Sequence, residues 1–224
     1  MMMKKTVIFI FISIFLAIQS LISQSSNPVD SLIKLLKTTS KDSTRAKIYS
    51  LLTEVCEINE INNYANEVFK ISKKYENSFD EKEKNKFLSY KATAINNLAF
   101  VYDAEGNVEA CIQKYKEALS IREQIKDTNA IGNTLYNLAV LYKGTGKNDE
   151  ALKLSQQALM YLQLKKNYVG VSKCLFSIGH IYLDRGKIKE AIIYLEKSLN
   201  VSKINNDVSG QNDALTGLGL YMVN

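Results

Sequence analysis

The chain has 224 residues with 46% hydrophobic content, enough to bury a sizeable core, and it contains one proline and ten glycines. This composition favours long helices, because proline and glycine are the residues that interrupt helices most strongly. The 29 Lys and Arg outnumber the 23 Asp and Glu, but the two signs are interspersed without a basic block. The charge pattern therefore argues against nucleic-acid binding, which requires a concentrated basic stripe.

The N-terminus has the pattern of a secretory signal peptide. Lys4 and Lys5 precede a nearly unbroken apolar run, residues 7–18, and small polar residues follow. The run is shorter than the about 20 apolar residues of a membrane-spanning helix, and Gln19 ends it. We expect residues 1–23 to be removed, leaving no membrane span, and the protein to reach the periplasm or the exterior of a Gram-negative bacterium. An uncleaved membrane anchor is the alternative.

The segment after the signal peptide leads into a repeated pattern. Residues 24–45 are predicted to form an N-terminal helix and a linker, and residues 46–92 a degenerate first copy of the pattern. That copy ends in a charged insertion, ENSFDEKEKNKFLSY, at residues 76–90. Its dense charges predict a helical extension with a solvated face.

A pattern of 40 residues recurs three times in residues 93–210. In each copy the apolar residues of the first segment recur at i, i+3, i+4 and i+7, the spacing of one helix face. A glycine four residues after a shared tyrosine suits the end of that helix, and Asn107 or Asn148 could cap the second one. Each copy is therefore predicted to be a helical hairpin. The shared positions include Tyr102, Tyr142 and Tyr182, followed by Gly106, Gly146 and Gly186.

These columns resemble the tetratricopeptide repeat, a helix-turn-helix unit of about 34 residues. The leucine, small residue and tyrosine of the first helix and the small residues of the second helix match, whereas the period is longer and the proline that often ends the unit is absent. The resemblance implies an all-α fold, a right-handed α-solenoid whose concave side is lined by the first helices. We expect the additional residues to lengthen the helices.

The resemblance also implies a non-enzymatic protein that binds a protein or peptide in the concave groove. The lysine and asparagine set with which some family members hold a chaperone's C-terminal carboxylate is not reproduced, because other residues occupy the asparagine column. The alternative is that the groove side chains pack against neighbouring helices and bind nothing. The candidate groove residues, which offer aromatic area and hydrogen-bonding groups to a peptide, are Asn96, Phe100, Asn133, Tyr136, Val140, Lys173, Phe176 and His180.

Catalytic and metal-binding motifs are not recognisable in the sequence. His180 is the single histidine, and no nucleophile or carboxylate lies at a spacing that would complete a triad or a metal site. No phosphate-binding loop, zinc motif or nucleophile elbow occurs. Cys56, Cys111 and Cys174 lie in columns that hold buried residues, which predicts buried thiols instead of disulfides. We therefore expect no enzymatic activity, no cofactor and no metal.

The last residues, 211–224, begin a fourth copy or form a capping helix. Gly217 and Gly219 each disfavour a helix by about 1 kcal/mol relative to alanine, and residues 220–223 are apolar where a polar cap is typical. We expect self-association through this helix or a further segment covering it. The layout resembles the extracytoplasmic part of sensor histidine kinases from Bacteroidetes-type bacteria, which implies, as the alternative function, the signal-input portion of a truncated sensor.

Overall fold

The computed structural model describes residues 27–222, and α-helices joined by short turns make up this range, which confirms the predicted all-α class. The predicted signal peptide lies outside the described residues. One 3₁₀ turn, Ile58–Glu60, separates the second and third helices. In chain order the helices are α1 (Pro28–Thr38), α2 (Asp42–Val55), α3 (Ile61–Lys73), α4 (Glu81–Ala104), α5 (Val108–Gln124), α6 (Thr128–Gly144), α7 (Asn148–Leu164), α8 (Tyr168–Asp184), α9 (Ile188–Ile204) and α10 (Val208–Met222).

The 40-residue period consists of two 17-residue helices and two three-residue turns, so the additional residues do lengthen the helices as expected. The turn inside each repeat uses the predicted glycine. Gly106, Gly146 and Gly186 have φ values of 71°, 77° and 68°, the left-handed region that residues other than glycine rarely adopt. In the first of these turns the Asn107 amide donates to the Tyr102 carbonyl at 2.8 Å, which closes the preceding helix.

The turns between repeats also contain a residue in the left-handed region, but that residue is not glycine. Lys126, Lys166 and Asn206 have φ values of 56°, 56° and 55°. The residue that follows each of them caps the next helix; in the first turn, Asp127 accepts a hydrogen bond from the Ala130 amide at 3.1 Å. Backbone strain is therefore concentrated at one position in each inter-repeat turn.

The two asparagine caps predicted from the sequence have different outcomes. Asn107 caps α5, since its side-chain oxygen accepts from the Ala110 amide at 3.1 Å. The prediction for Asn148 is wrong, because α7 begins at Asn148 itself. Lys147 holds the cap position of α7 and makes no side-chain cap hydrogen bond.

The structure divides into two compact units, with the boundary between Asn97 and Leu98 inside α4. In the first unit, α4 begins within the charged insertion and buries Phe87, which is 1% exposed and stacks on Tyr75 with ring centroids 3.8 Å apart. The expectation of a solvated face is thus wrong at Phe87, because this side of the insertion packs into a core with Ala46 and Ile71.

In the second unit, the first helices of successive repeats form a layer: α6 contacts α8, and α8 contacts α10. The intervening second helices pack against them. Leu162 of α7 is fully buried between two of these first helices, where both carry a glycine. A Cβ atom on Gly132 would lie 2.7 Å from Leu162 Cγ, and one on Gly170 would lie 3.0 Å from Leu162 Cδ1. The close contact of α6, α7 and α8 therefore depends on these glycines.

The cysteines are free thiols with unequal burial. Cys111 and Cys174 are fully buried, as predicted, and burial raises the pKa of their thiols to about 11 and about 12. The prediction of burial is wrong for Cys56, which is partly exposed because it follows the last residue of α2 instead of lying on a helix face. Within residues 27–222, no helix combines the length and the hydropathy that crossing a bilayer would require.

Candidate functional site

A cavity of about 500 Å³ opens in the second unit between the end of α4, the first half of α5, and α6. Three of the predicted groove residues, Phe100, Tyr136 and Val140, line it. Phe100 and Val140 are 44% and 45% exposed although both are apolar. The 40-residue repeat places these two residues at equivalent positions of successive first helices, so both lie on the same face of the first-helix layer at the opening. We call this space the Phe100–Val140 cavity.

The floor of the cavity comes from the second helix of the repeat. Cys111 and Tyr115 of α5 line it, and both are buried. The Tyr115 ring meets Phe100 edge to face, with centroids 6.2 Å apart and an interplanar angle of 88°. Such edge-to-face contacts fix aromatic rings in place. The apolar walls are thus held in position by the core beneath them.

Polar groups are few and lie at the rim of the cavity. Asp103 is exposed and is the one charged residue among those lining the cavity. Asn137 is partly buried, and within residues 27–222 its side-chain amide has no hydrogen-bond partner. Burial raises the pKa of Tyr136 to about 12, so its hydroxyl remains a hydrogen-bond donor at neutral pH. A mostly apolar pocket with a few polar groups is typical of binding sites.

Phe176 and His180 lie further along the first-helix layer, on α8. Their rings are in contact, with centroids 4.4 Å apart. Burial, followed by the positive charge of Lys143, lowers the pKa of His180, so the imidazole is neutral at neutral pH. A Cβ on Gly217 of α10 would lie 3.5 Å from His180 Nε2 and 3.0 Å from the side chain of Leu195. Gly217, which weakens α10 as an isolated helix, therefore lets α10 approach α8 and α9.

The remaining predicted groove residues differ in accessibility. Asn133 and Lys173 are exposed on α6 and α8. Asn96 lies in the first unit and is only 8% exposed, with its side-chain nitrogen 3.5 Å from the Asn97 side-chain oxygen. Burial removes Asn96 from the accessible surface. The alternative, that groove side chains pack against neighbouring helices, also applies in part to Phe176, which packs against the core around Leu195.

Sequence reasoning missed several residues of the cavity. Asp103 lies three residues after Phe100, so helical spacing alone places it on the same face and could have identified it. The floor residues Cys111 and Tyr115 could not be found in this way, because the family register assigns the groove to the first helices only. Their role follows from how α5 packs beneath α4 and α6.

The comparisons with known proteins agree with the repeat architecture. Two family models, each described as tetratricopeptide repeat, match residues 90–163 and 172–205. The chain contains tetratricopeptide repeats over these residues. Proteins of this family are typically scaffolds for binding other proteins and are generally not catalytic. Among curated proteins, no sequence matches this chain significantly.

Several solved structures share this fold. Aspartyl phosphate phosphatase F from Bacillus subtilis matches with a TM-score of 0.71 and 16% identity, over 87% of this tetratricopeptide repeat chain and 48% of its own. A Rap protein complexed with competence and sporulation factor matches with a TM-score of 0.60 and 16% identity, over 86% of this chain and 58% of its own.

A signal transduction ATPase with a tetratricopeptide repeat sensor, from Pyrococcus horikoshii, matches with a TM-score of 0.62 and 16% identity. That alignment covers 85% of this chain and 29% of the ATPase. At such identities the likeness establishes the fold alone. The chain spans only about half the length of the phosphatase, which is the first of these structures.

Proposed function

We propose that this chain binds a protein or peptide partner along the layer formed by its first helices in the second unit, and that it catalyses no reaction. The observation that supports this proposal is the Phe100–Val140 cavity, where apolar side chains are left partly exposed. The cavity also contains the Asn137 amide, which has no hydrogen-bond partner in the part of the chain that the structure describes. A concave opening lined by partly exposed apolar side chains and a few polar groups is typical of binding sites. The similarly folded Rap protein complexed with competence and sporulation factor offers a precedent.

The binding surface extends from this cavity to the Phe176–His180 pair on the next first helix. Aromatic side chains supply large contact areas at interfaces, and both ends of the surface offer them. Lys143 Nζ of α6 lies 3.8 Å from Asp184 Oδ2 of α8, so a polar bridge separates the two apolar areas. A peptide spanning them would alternate apolar and polar contacts.

Selection from a displayed library of random 12-residue peptides on the full-length chain tests the proposal. Fluorescence anisotropy then measures the affinity of the selected peptides for variants. We expect Val140→Lys and Phe176→Ala each to weaken binding about tenfold or more, since each removes apolar contact area. Met160→Ala is the control, because Met160 is 70% exposed but lies on the second helix α7. Binding that tolerates both groove substitutions, or depends on Met160, would refute the groove as the binding surface.

We also propose that the protein is exported, on the basis of Lys4, Lys5 and the apolar run at residues 7–18. Alkaline phosphatase fused after residue 40 should be active in a Gram-negative host. Deleting residues 7–18 should abolish this activity without lowering the amount of fusion protein. Equal activity of both fusions would contradict export by this segment.

A signal-input role is a second candidate, favoured by the fold shared with the tetratricopeptide repeat sensor of the ATPase. In this role ligand binding at α8 would alter α10, which lies against α8 and α9 at Gly217. Hydrogen exchange of residues 208–222, measured with and without a selected peptide, tests the coupling. Unchanged exchange at saturating peptide would leave simple scaffolding as the function.

A further inference from the structure

The Phe100–Val140 cavity combines apolar walls with one negative charge. Asp103 is exposed at the rim and pairs with no basic side chain among residues 27–222. Its charge reaches the floor, because after burial it is a further cause that raises the pKa values of Cys111 and Tyr115. The cavity is therefore suited to an apolar group that has a positive charge beside it.

The next repeat does not reproduce this combination. One period later, the column of Asp103 holds Lys143, which is bridged to Asp184. The floor column of Tyr115 holds Ser155, a small residue that is fully buried. Of these two repeats, therefore, only the one that forms the cavity between α4 and α6 combines an unpaired acid with an aromatic lining.

We propose that the ligand of the groove is a basic and apolar peptide segment, in which a bulky aromatic or branched aliphatic residue is adjacent to Lys or Arg. The bulky side chain occupies the Phe100–Val140 cavity, and the Lys or Arg pairs with Asp103. The Asn137 amide bonds to the peptide backbone. This inference rests on the proposed function and adds the chemistry of the partner to it.

The two contacts contribute differently. Burial of the bulky side chain supplies most of the affinity, since apolar area removed from water dominates such interfaces. The exposed pair at Asp103 contributes little affinity but excludes acidic segments, because a like charge at the rim repels them. Its contribution decreases with salt, as expected for an exposed pair.

The test repeats the random-peptide selection on the full-length chain, on Asp103→Lys and on a matched control, Glu150→Lys. Glu150 is an exposed acid in the first turn of α7 and does not line the cavity. We expect the unmodified chain and the control to enrich bulky apolar residues next to Lys or Arg. Asp103→Lys should still enrich the apolar residue but lose the basic one in favour of Asp or Glu.

Anisotropy with the most enriched peptide then gives the size of the effect. Asp103→Lys should weaken binding by about twofold to twentyfold at low salt, because an exposed attraction becomes a repulsion of similar size. The effect should shrink in 0.5 M NaCl and disappear when the peptide's basic residue is replaced by alanine. Asp103→Asn, which keeps the side-chain size, should show about half of the effect on a logarithmic scale.

The outcomes separate the inference from the function on which it rests. The inference is overturned, and groove binding still stands, if the selected peptides require Val140 and Phe176 but show no preference for basic residues. The same conclusion follows if the peptides bind Asp103→Lys as tightly as the unmodified chain. Enrichment of acidic peptides by the unmodified chain overturns it as well. Failure of every selection to enrich any peptide overturns both the inference and the proposed function.

Discussion

The contact between Gly132 and Leu162 allows a quantitative test of the packing. In Gly132→Ala the new methyl group would meet Leu162 Cγ at 2.7 Å, a distance that forces one of the helices or the buried leucine to shift. Overpacking of this kind costs about 1–3 kcal/mol. The gain in helix propensity offsets about 1 kcal/mol of that. We therefore expect a net destabilisation of up to about 2 kcal/mol.

The effect of Gly132→Ala on stability should change from destabilising to stabilising once Leu162 is shortened. Leu162→Ala leaves a cavity in a fully buried site and should cost about 2.7–5 kcal/mol. In that background the two Leu162 atoms within 3.0 Å of the new methyl group are gone and the nearest remaining atom is Tyr161 Cβ at 3.2 Å. Gly132→Ala then fills part of the cavity and keeps its propensity gain, so it should stabilise by up to about 1 kcal/mol. The two substitutions are then coupled by about 1–3 kcal/mol, within the range found for contacting residues.

Urea denaturation followed by circular dichroism measures the free energy of unfolding of the four proteins in this cycle. Gly144→Ala is the matched control, since Gly144 ends the same helix and a Cβ there would meet nothing within 4 Å. This control should be neutral or stabilising by up to about 1 kcal/mol. Additive effects of Gly132→Ala and Leu162→Ala would refute the close contact between α6 and α7.

Three further predictions concern turns, caps and thiols. Lys166→Gly should stabilise the protein by about 0.5–1 kcal/mol, because it relieves a positive φ that costs about 1–2 kcal/mol in a residue with a Cβ; a lower melting temperature would contradict the strain. Asn107→Ala should cost about 1 kcal/mol through loss of a cap, whereas Lys147→Ala, at a cap position without a side-chain bond, should change stability little; equal losses in thermal melts would argue against capping. Burial raises the thiol pKa of Cys174 to about 12, so Cys174 should resist Ellman's reagent at pH 8 while Cys56 reacts; fast labelling of both thiols would contradict the burial. Because folding favours the protonated thiol of Cys174, the free energy of unfolding should fall as the pH rises from about 9 towards 12.

The repeat architecture was predictable because its signals are local. Gly106 and its equivalents end helices through a backbone conformation that only glycine adopts easily, so the turn position follows from the residue type. The burial of Cys111 and Cys174 follows from columns that small residues share. The same reasoning predicts burial wrongly for Cys56, since the end of a helix cannot be located to one residue from periodicity.

The candidate site was less predictable because it depends on distances between helices. Helical spacing places Phe100 and Val140 on exposed faces, but the depth of the cavity between them depends on where Tyr115 of α5 lies. The burial of Phe87 has the same origin: a charged segment predicts a solvated helix, and only its packing shows that one side faces a core. Local sequence patterns identify which face of a helix is exposed, whereas the shape of a pocket depends on how neighbouring helices pack.

The opposite charges at Asp103 and Lys143 affect the position along the repeats at which a ligand can bind. The two residues occupy the same column of successive repeats, so a ligand displaced by one repeat would meet a lysine bridged to Asp184 in place of the acid Asp103. Neighbouring repeats have nearly the same backbone, so differences between their side chains distinguish one position of a bound peptide from the next. This difference between the two positions breaks the translational symmetry of the array, and it favours a single register for a ligand that is not itself periodic.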